Sequence, residues 1–123
     1  MNPLISIITV VYNSEQFIES TLKSIAAQNS KNFEYIIIDG QSKDATLSII
    51  EKYKSFVDVL ISEPDKGLYD AMNKGLQLAK GQFVWFINSG DQLYSENTVA
   101  QIEQLYQQDY SIDVFYGQTQ CSI

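Results

Sequence analysis

Apolar runs of strand length alternate with segments of helical period along this chain, and no other feature of the sequence limits the fold as strongly. This alternation is the signature of a mainly parallel sheet covered by helices on both faces. The order predicts a β-α unit repeated four times and followed by a fifth strand. The predicted strands are 5–11, 35–38, 57–62, 83–87 and 113–117. The fold class is therefore α/β.

Four helices are predicted between these strands. The first is expected to begin at Asn13 or Ser14, where Gln16 would close a capping box on Asn13, and to end near residue 28. Ser42 and Ser95 are candidate caps for the second and fourth helices. The residues expected to face the core are Ile18, Leu22, Ile25 and Ala26 in the first helix, Thr46, Ile50 and Tyr53 in the second, Ala71, Met72, Leu76 and Ala79 in the third, and Val99, Ile102, Leu105 and Tyr106 in the fourth.

Polar residues follow three of the apolar runs. Tyr12 and Asn13 follow the first run, Asp39 ends the second, and the segment 88–91 follows the fourth. Open α/β sheets bind ligands at the carboxyl ends of their strands. We therefore expect these strand ends to converge on one crevice.

Charge and composition restrict the ligands of such a crevice. Eight basic and fifteen acidic residues give a formal net charge of −7, which is the wrong sign for binding a nucleic-acid backbone. A single phosphorylated ligand can still bind through a divalent cation held by carboxylates. Because the chain has no histidine, oxygen ligands are expected, and they favour Mn²⁺ or Mg²⁺ over Zn²⁺. The single Cys121 excludes an internal disulfide framework.

Nothing in the sequence predicts a membrane span or a leader. No apolar stretch approaches the length of about 20 residues that a bilayer requires, and residues 1–3 contain no basic segment. A cytoplasmic location is the default expectation. No repeat, linker or low-complexity tract divides the chain, so residues 1–123 are expected to form one unit.

Several nucleotide-binding motifs are missing from the first turn. Residues 11–16 carry no GxGxxG, the chain has no GxxxxGK[ST], and no acidic pair follows the first strand as in a phospho-receiver. A phosphate site here would lack a glycine cradle. A metal ion held by Asp91 could supply the missing positive charge.

Four segments together resemble the bacterial family-two glycosyltransferases of the GT-A (Rossmann-like) fold. They are residues 5–13, 34–46, 62–75 and 88–91. The resemblance implies that residues 1–123 are the nucleotide-diphospho-sugar-binding part of a transferase, ending before the acceptor half. It implies transfer of a sugar from a nucleotide diphosphate, with UDP the expected carrier, to an acceptor hydroxyl with inversion. A role in cell-surface polysaccharide or glycan synthesis follows from the same resemblance.

The resemblance assigns roles to residues at the first two strand ends. Asp39 would accept a hydrogen bond from the imino N–H of a uracil-like base, because an ionised carboxylate is only an acceptor. Thr9, Val11, Tyr12 and Asn13 would frame the base and ribose. The alternative for Asp39 is a helix cap or a turn residue.

Asp91 matches the last acidic residue of the family's metal-binding motif. It would share a divalent ion, Mn²⁺ or Mg²⁺, with the two phosphates. Gly90 stands where many relatives have another aspartate, so Asn88, Ser89 or water would replace that carboxylate's ribose contact. The alternative is that Asp91 only begins a turn before Tyr94.

A further group lies around the start of the third helix. Lys66 could reach a phosphate, Gly67 could allow close backbone approach, and Asp70 and Asn73 could face the donor sugar. For Asp70 a favourable interaction with the helix dipole is an equally good explanation. Functional and structural roles stay open for all four residues.

The resemblance supplies no catalytic residue within this chain. Relatives use an aspartate or glutamate downstream of the metal motif as general base, so this residue is expected beyond Ile123. Asp109 and Asp113 match no base motif. The expected acceptor is a saccharide or a lipid-linked saccharide, and a peripheral position at the inner face of the membrane stays open.

Two alternatives to a transferase are a non-catalytic nucleotide-binding or scaffold module and a nucleotidyltransferase. A nucleotidyltransferase usually needs a glycine-rich basic loop after the first strand, which is absent here. Released products would separate the three: nucleoside diphosphate, pyrophosphate or neither.

Overall fold

A computed structural model describes residues 3–91 and 96–108 and confirms the predicted α/β class. All strand pairs in the described sheet are parallel, in the order β3-β2-β1-β4. The elements are β1 (Ile5–Val11), α1 (Ile18–Ala26), β2 (Phe33–Asp39), α2 (Thr46–Glu51), β3 (Val59–Ser62), α3 (Leu68–Leu78), β4 (Phe83–Phe86) and α4 (Thr98–Gln108). The predicted fifth strand at 113–117 and the predicted cap Ser95 lie outside the described residues.

Helices cover both faces of the sheet. Alternate residues of β1 point to opposite sides, as the period of a strand requires. The larger core includes Ile7 of β1 and buried side chains of α1, α2 and α4, such as Leu22, Ile50 and Val99. The smaller core joins Ile8 and its neighbours in β2 to α3. Among the described residues, no helix is long and apolar enough to cross a membrane.

The strand order places the ends of β2, β1 and β4 next to one another along the carboxyl edge of the sheet. β1 lies between β2 and β4, and its chain continues into α1 on one face of the sheet. The connection into β4 runs through α3 on the other face. The chain then continues from β4 to α4 on the same face as α1, so the loops after β1 and β4 lie side by side at the carboxyl edge, where open α/β sheets bind ligands.

The start of α1 differs from the prediction. The helix begins at Ile18, because Asn13 adopts φ 48° and residues 14–17 form a turn in which the Phe17 N–H donates to the Ser14 carbonyl at 3.0 Å. The predicted capping box of Asn13 and Gln16 is wrong. The Asn13 side chain instead accepts a hydrogen bond from the Lys43 N–H at 2.8 Å.

Other helix details are corrected as well. Ser42 does not cap α2, because its hydroxyl is bonded to Asp39 and to the Asn13 backbone. Leu76 and Leu105 were expected to face the core but are 45% and 48% exposed. In α3 the inward positions are Ala71 and Gly75, one turn apart, so Leu76 falls beside the buried face.

Candidate functional site

Two loops at the carboxyl edge of the sheet hold each other through hydrogen bonds. The brace comprises residues 13–15 after β1 and 42–46 after β2. The Asn13 N–H donates to the Ser42 hydroxyl at 2.8 Å, and the Ser14 N–H donates to the Thr46 hydroxyl at 2.7 Å. Three further bonds run from Glu15 N to Asp44 Oδ2, from Lys43 N to Asn13 Oδ1, and from Ala45 N to Glu15 Oε1. The brace fixes the position of Tyr12 relative to Asp39.

Asp39 is fully buried at the end of β2. Its Oδ2 accepts hydrogen bonds from the Ser42 N–H and the Ser62 hydroxyl, both at 2.8 Å, and its Oδ1 accepts one from the Ser42 hydroxyl. The Ser42 contacts are those that a turn residue would make. A carboxylate has about four acceptor positions, so these three bonds leave Asp39 about one.

Two of the residues predicted to frame the base are buried at the end of β1. The Thr9 hydroxyl accepts a hydrogen bond from the Tyr35 hydroxyl at 2.7 Å inside the larger core, so this side chain is already engaged. Burial raises the pKa of Tyr35 well above its usual value. The Val11 carbonyl accepts the Gly40 N–H at 2.9 Å. Val11 borders the groove beside Tyr12, whereas Thr9 is fully buried.

Tyr12 stands between two open cavities at the same edge. Its side chain is 57% exposed. One cavity of about 360 Å³ lies between Tyr12, Gly40, Lys43 and Asp65. The other, of about 320 Å³, lies between Tyr12, Val11, Asp65 and Gly67. An exposed aromatic ring between two open grooves can stack on a planar base.

Asp65 forms the opposite wall of both cavities, although the sequence was interpreted only as a loop there. A Cβ at Gly40 would lie 2.9 Å from Asp65 Oδ2. Glycine at position 40 therefore allows this close approach. The turn signal Glu63-Pro64-Asp65 was visible in the sequence, but the contact across 25 residues was not.

The group at the start of α3 shows structural roles. Gly67 adopts φ 118°, a conformation that favours glycine. The Lys66 N–H donates to Asp70 Oδ2 at 2.9 Å, so Asp70 supports the first turn of the helix. Lys66 and Asn73 are exposed. Gly67 borders the Tyr12 groove, which places the start of this group beside the crevice.

Lys74 fastens the preceding loop to α3. Its ammonium group donates to the Pro64 carbonyl at 3.0 Å and pairs with Glu63 at 3.1 Å and Asp70 at 3.8 Å. Desolvation lowers the pKa of Lys74, but the hydrogen bond and charge of Glu63 and the charge of Asp70 outweigh it, so the pKa is raised. The loop that carries Asp65 and Lys66 is thereby held near Tyr12.

The loop after β4 carries the predicted metal ligand. The Asp91 N–H donates to the Asn88 carbonyl at 3.0 Å, which closes a turn that includes Gly90 at φ 97°. Thr21 of α1 bonds to this turn twice: its hydroxyl accepts the Gly90 N–H at 2.9 Å and donates to the Asp91 carbonyl at 2.7 Å. Asn88 is exposed. Asp91 thus lies in a turn, and its backbone is fixed from α1.

Two polar side-chain groups in this loop have no partner among the described residues. Within residues 3–91 and 96–108, the half-buried Asp91 carboxylate has no hydrogen-bonding or ionic partner. The Ser89 hydroxyl oxygen is buried and has no partner among these residues either. Among these residues, the Ser89 hydroxyl therefore lacks the partner that buried polar groups usually have. An oxygen-seeking cation or a polar ligand would provide a partner for both groups.

The described residues do not form a complete metal cage. No group of three or more histidine, cysteine or acidic residues in this part of the chain could hold an ion alone. Mg²⁺, however, is commonly held by one or two carboxylates together with substrate phosphates and water. Asp91 and the orphaned Ser89 oxygen fit that kind of shared site.

Two residues at this edge were missed by sequence reasoning. Thr21 occupies an ordinary helix position and carries no local signal, whereas Ser62 is a polar residue at a predicted strand end that was not singled out. The hydroxyl groups of both residues form hydrogen bonds to residues more than twenty positions away in the sequence. Only the folded chain shows that they hold the backbone or carboxylate of a predicted site residue.

The chain resembles known proteins over almost its whole length. The family model described as glycosyl transferase family 2 matches residues 6–121. A PGL/p-HBAD biosynthesis glycosyltransferase of Mycobacterium bovis is 33% identical over 118 residues, covering 94% of this chain and 46% of that protein. TuaG of Bacillus subtilis, named for teichuronic acid biosynthesis, is 35% identical over 104 residues, covering 82% and 41%. The chain spans about half the length, or less, of these relatives.

Solved structures match the fold. S. aureus TarS 1-349 in complex with UDP-GlcNAc aligns with TM-score 0.80 and 30% identity, covering 87% of this chain and 32% of that chain. The mannosyltransferase PcManGT from Pyrobaculum calidifontis, in complex with GDP-Man and Mn²⁺, aligns with TM-score 0.74 and 23% identity over 86% and 33%. The predicted GT-A architecture is confirmed, and the second likeness shows the fold alone.

Proposed function

The chain belongs to glycosyltransferase family 2, and from that premise we propose that it binds the nucleotide-diphosphate sugar from which the enzyme transfers a sugar, with inversion, to an acceptor hydroxyl. UDP is the proposed carrier. The observation that carries this proposal is the exposed Tyr12 ring between two cavities beside the buried Asp39 carboxylate. The relative TarS, solved with UDP-GlcNAc, supports the choice of carrier.

Each strand end contributes one part of donor binding in this proposal. The Tyr12 ring stacks on the base, and the remaining acceptor position of Asp39 receives the imino N–H. Asn13 is held by Ser42 and Lys43 and frames the ribose beside Tyr12. Discrimination between bases then depends on whether the ligand offers a donor to Asp39.

The diphosphate would lie near the loop after β4. Asp91 and the Ser89 hydroxyl would hold a divalent ion, Mn²⁺ or Mg²⁺, with Asn88 close to the ribose. The ion would neutralise the departing nucleoside diphosphate. Lys66 would add a positive charge from the α3 side, next to Gly67 and the sugar-facing candidates Asp70 and Asn73. None of the described residues is proposed as general base.

The acceptor is proposed from the relatives' names. One relative is named as a glycosyltransferase of PGL/p-HBAD biosynthesis and another as one of teichuronic acid biosynthesis. A saccharide or lipid-linked saccharide is therefore the proposed acceptor, in cell-surface glycan synthesis on the cytoplasmic side. A nucleotide-binding module without transfer is the alternative, and release of nucleoside diphosphate from a sugar donor in the presence of acceptors separates the two.

The test is calorimetric titration of UDP, GDP and dTDP, each with and without Mn²⁺, into the chain. Wild type is expected to bind UDP, and Asp39→Asn to weaken UDP binding at least about tenfold, because the amide has no charge and replaces one of the two acceptor oxygens by a donor. Asp58→Asn is the matched control: Asp58 also accepts a backbone N–H, from Tyr35 at 2.7 Å, but precedes β3 at the opposite edge. Folded wild-type protein that binds none of the nucleotides, or an Asp39→Asn variant that binds UDP like wild type, would contradict the proposal.

A further inference from the structure

The Thr21 hydroxyl forms two hydrogen bonds to the backbone of the turn at 88–91. Thr21 is fully buried in α1. Its oxygen accepts the Gly90 N–H at 2.9 Å and its hydrogen goes to the Asp91 carbonyl at 2.7 Å, across 69 and 70 residues of sequence. One hydroxyl thus satisfies two backbone groups on successive residues.

Within the described part of the chain, few other hydrogen bonds hold this turn. Gly90 adopts φ 97°, a conformation that most residues avoid, and one backbone bond from Asp91 to Asn88 closes the turn. The hydroxyl of Thr21 fixes the two groups on either side of the Asp91 nitrogen. It leaves the Asp91 carboxylate itself unengaged among the described residues.

We propose that Thr21 is a positioning residue for cation and diphosphate binding by Asp91. This inference rests on the proposed function. Thr21 touches neither the carboxylate nor a ligand. It acts by holding the Asp91 main chain, so that the carboxylate is already oriented when the ion binds. Groups behind a metal ligand commonly change metal affinity about 10–100-fold when removed.

A merely structural role for Thr21 gives a different result. If the two bonds only stabilise the fold, their loss lowers the free energy of unfolding but affects all ligands alike. If they aim Asp91, their loss weakens the part of UDP binding that depends on the ion and spares binding of the nucleoside. Uridine lacks the diphosphate and therefore reports on the Tyr12 and Asp39 side alone.

The experiment measures UDP affinity with and without Mn²⁺, free Mn²⁺ by electron paramagnetic resonance, and uridine affinity. Thr21→Val keeps the shape and removes the hydroxyl, and Thr21→Ser keeps the hydroxyl. We expect Thr21→Val to weaken Mn²⁺-dependent UDP binding about 10–100-fold. Thr21→Ser should bind UDP as wild type does, and uridine affinity should stay unchanged in both variants. Ile25→Val, a buried core change in the same helix, controls for loss of stability.

The outcomes separate the two proposals. Equal Mn²⁺-dependent UDP affinity in Thr21→Val and wild type overturns the role of Thr21 and leaves donor binding intact. Equal loss of uridine and UDP binding in Thr21→Val, or the same loss in Ile25→Val, also overturns it. Wild type that binds UDP without any effect of Mn²⁺ overturns the metal role of Asp91 and the inference with it. If Thr21→Val does not fold, Thr21→Ala is measured in its place with the same criteria.

Discussion

Gly81→Ala should destabilise the chain strongly, because α3 and β4 are joined by a turn pressed against the backbone of β1. A Cβ at position 81 would lie 2.7 Å from the Ser6 nitrogen and 2.8 Å from the Ile5 carbonyl carbon. Neither atom can move without moving the central strand of the described sheet. Restoring an ordinary contact of 3.4 Å requires the turn to shift by about 0.7 Å.

That shift would strain the hydrogen bonds that hold the turn. The Gly81 N–H donates to the Ser6 hydroxyl at 2.8 Å, and the Lys80 N–H donates to the buried carboxylate of Glu34 at 2.6 Å. A neutral bond contributes about 1 kcal/mol and one to a charged group about 1.5–3 kcal/mol. We expect Gly81→Ala to lower the free energy of unfolding by about 3 kcal/mol, which is roughly 10 °C in Tm for a chain of this size.

Urea unfolding followed by the fluorescence of Trp85 measures this effect. Trp85 is the single tryptophan of the chain and packs against the larger core from β4, directly after the turn. Gln82→Ala, an exposed neighbour in the same turn, is the control and should change stability by less than about 0.5 kcal/mol. A loss below about 1 kcal/mol for Gly81→Ala would refute the reasoning, because it would show that the turn moves freely away from β1.

Two further changes test other parts of the structure. Gly90→Ala should cost about 1–2 kcal/mol in the same urea assay, because φ 97° strains any residue with a Cβ, and an unchanged midpoint would contradict this turn geometry. Burial raises the pKa of Tyr35, so its contribution to stability is complete below pH about 10, the unfolded value, and declines as the pH rises above it. Tyr35→Phe should therefore flatten the fall of unfolding free energy above pH 10, and an identical slope in both proteins would argue against a buried neutral phenol.

β1 and β2 were predictable because both faces of these strands are buried, which produces long continuous apolar runs in the sequence. The apolar stripe of α1 was predictable too, since Ile18, Leu22 and Ile25 recur at helical spacing and are buried. The residue at which α1 begins was not predictable from the sequence. Asn13 and Ser42 have the chemistry of caps, but the folded chain uses both in bonds between loops 29 or 30 residues apart.

The residues of the candidate site also separate into those that the sequence could predict and those that it could not. Asp39, Tyr12 and Asp91 could be chosen because they directly follow or end apolar runs, where a parallel sheet exposes its carboxyl edge. Thr21 and Asp65 could not, because their roles depend on contacts with elements far along the chain. The sequence patterns of the individual strands also could not predict that β1 lies between β2 and β4 in the sheet.

The brace between residues 13–15 and 42–46 has a thermodynamic consequence. Its five bonds all join a side chain of one loop to a backbone N–H of the other, in both directions. Neither loop can open without releasing donors of the other, so the two should exchange their amide hydrogens as one cooperative unit. A ligand that contacts only the loop after β1 would then also stabilise the closed form of the loop after β2. The two loops would become ordered in one step, with one shared entropic cost.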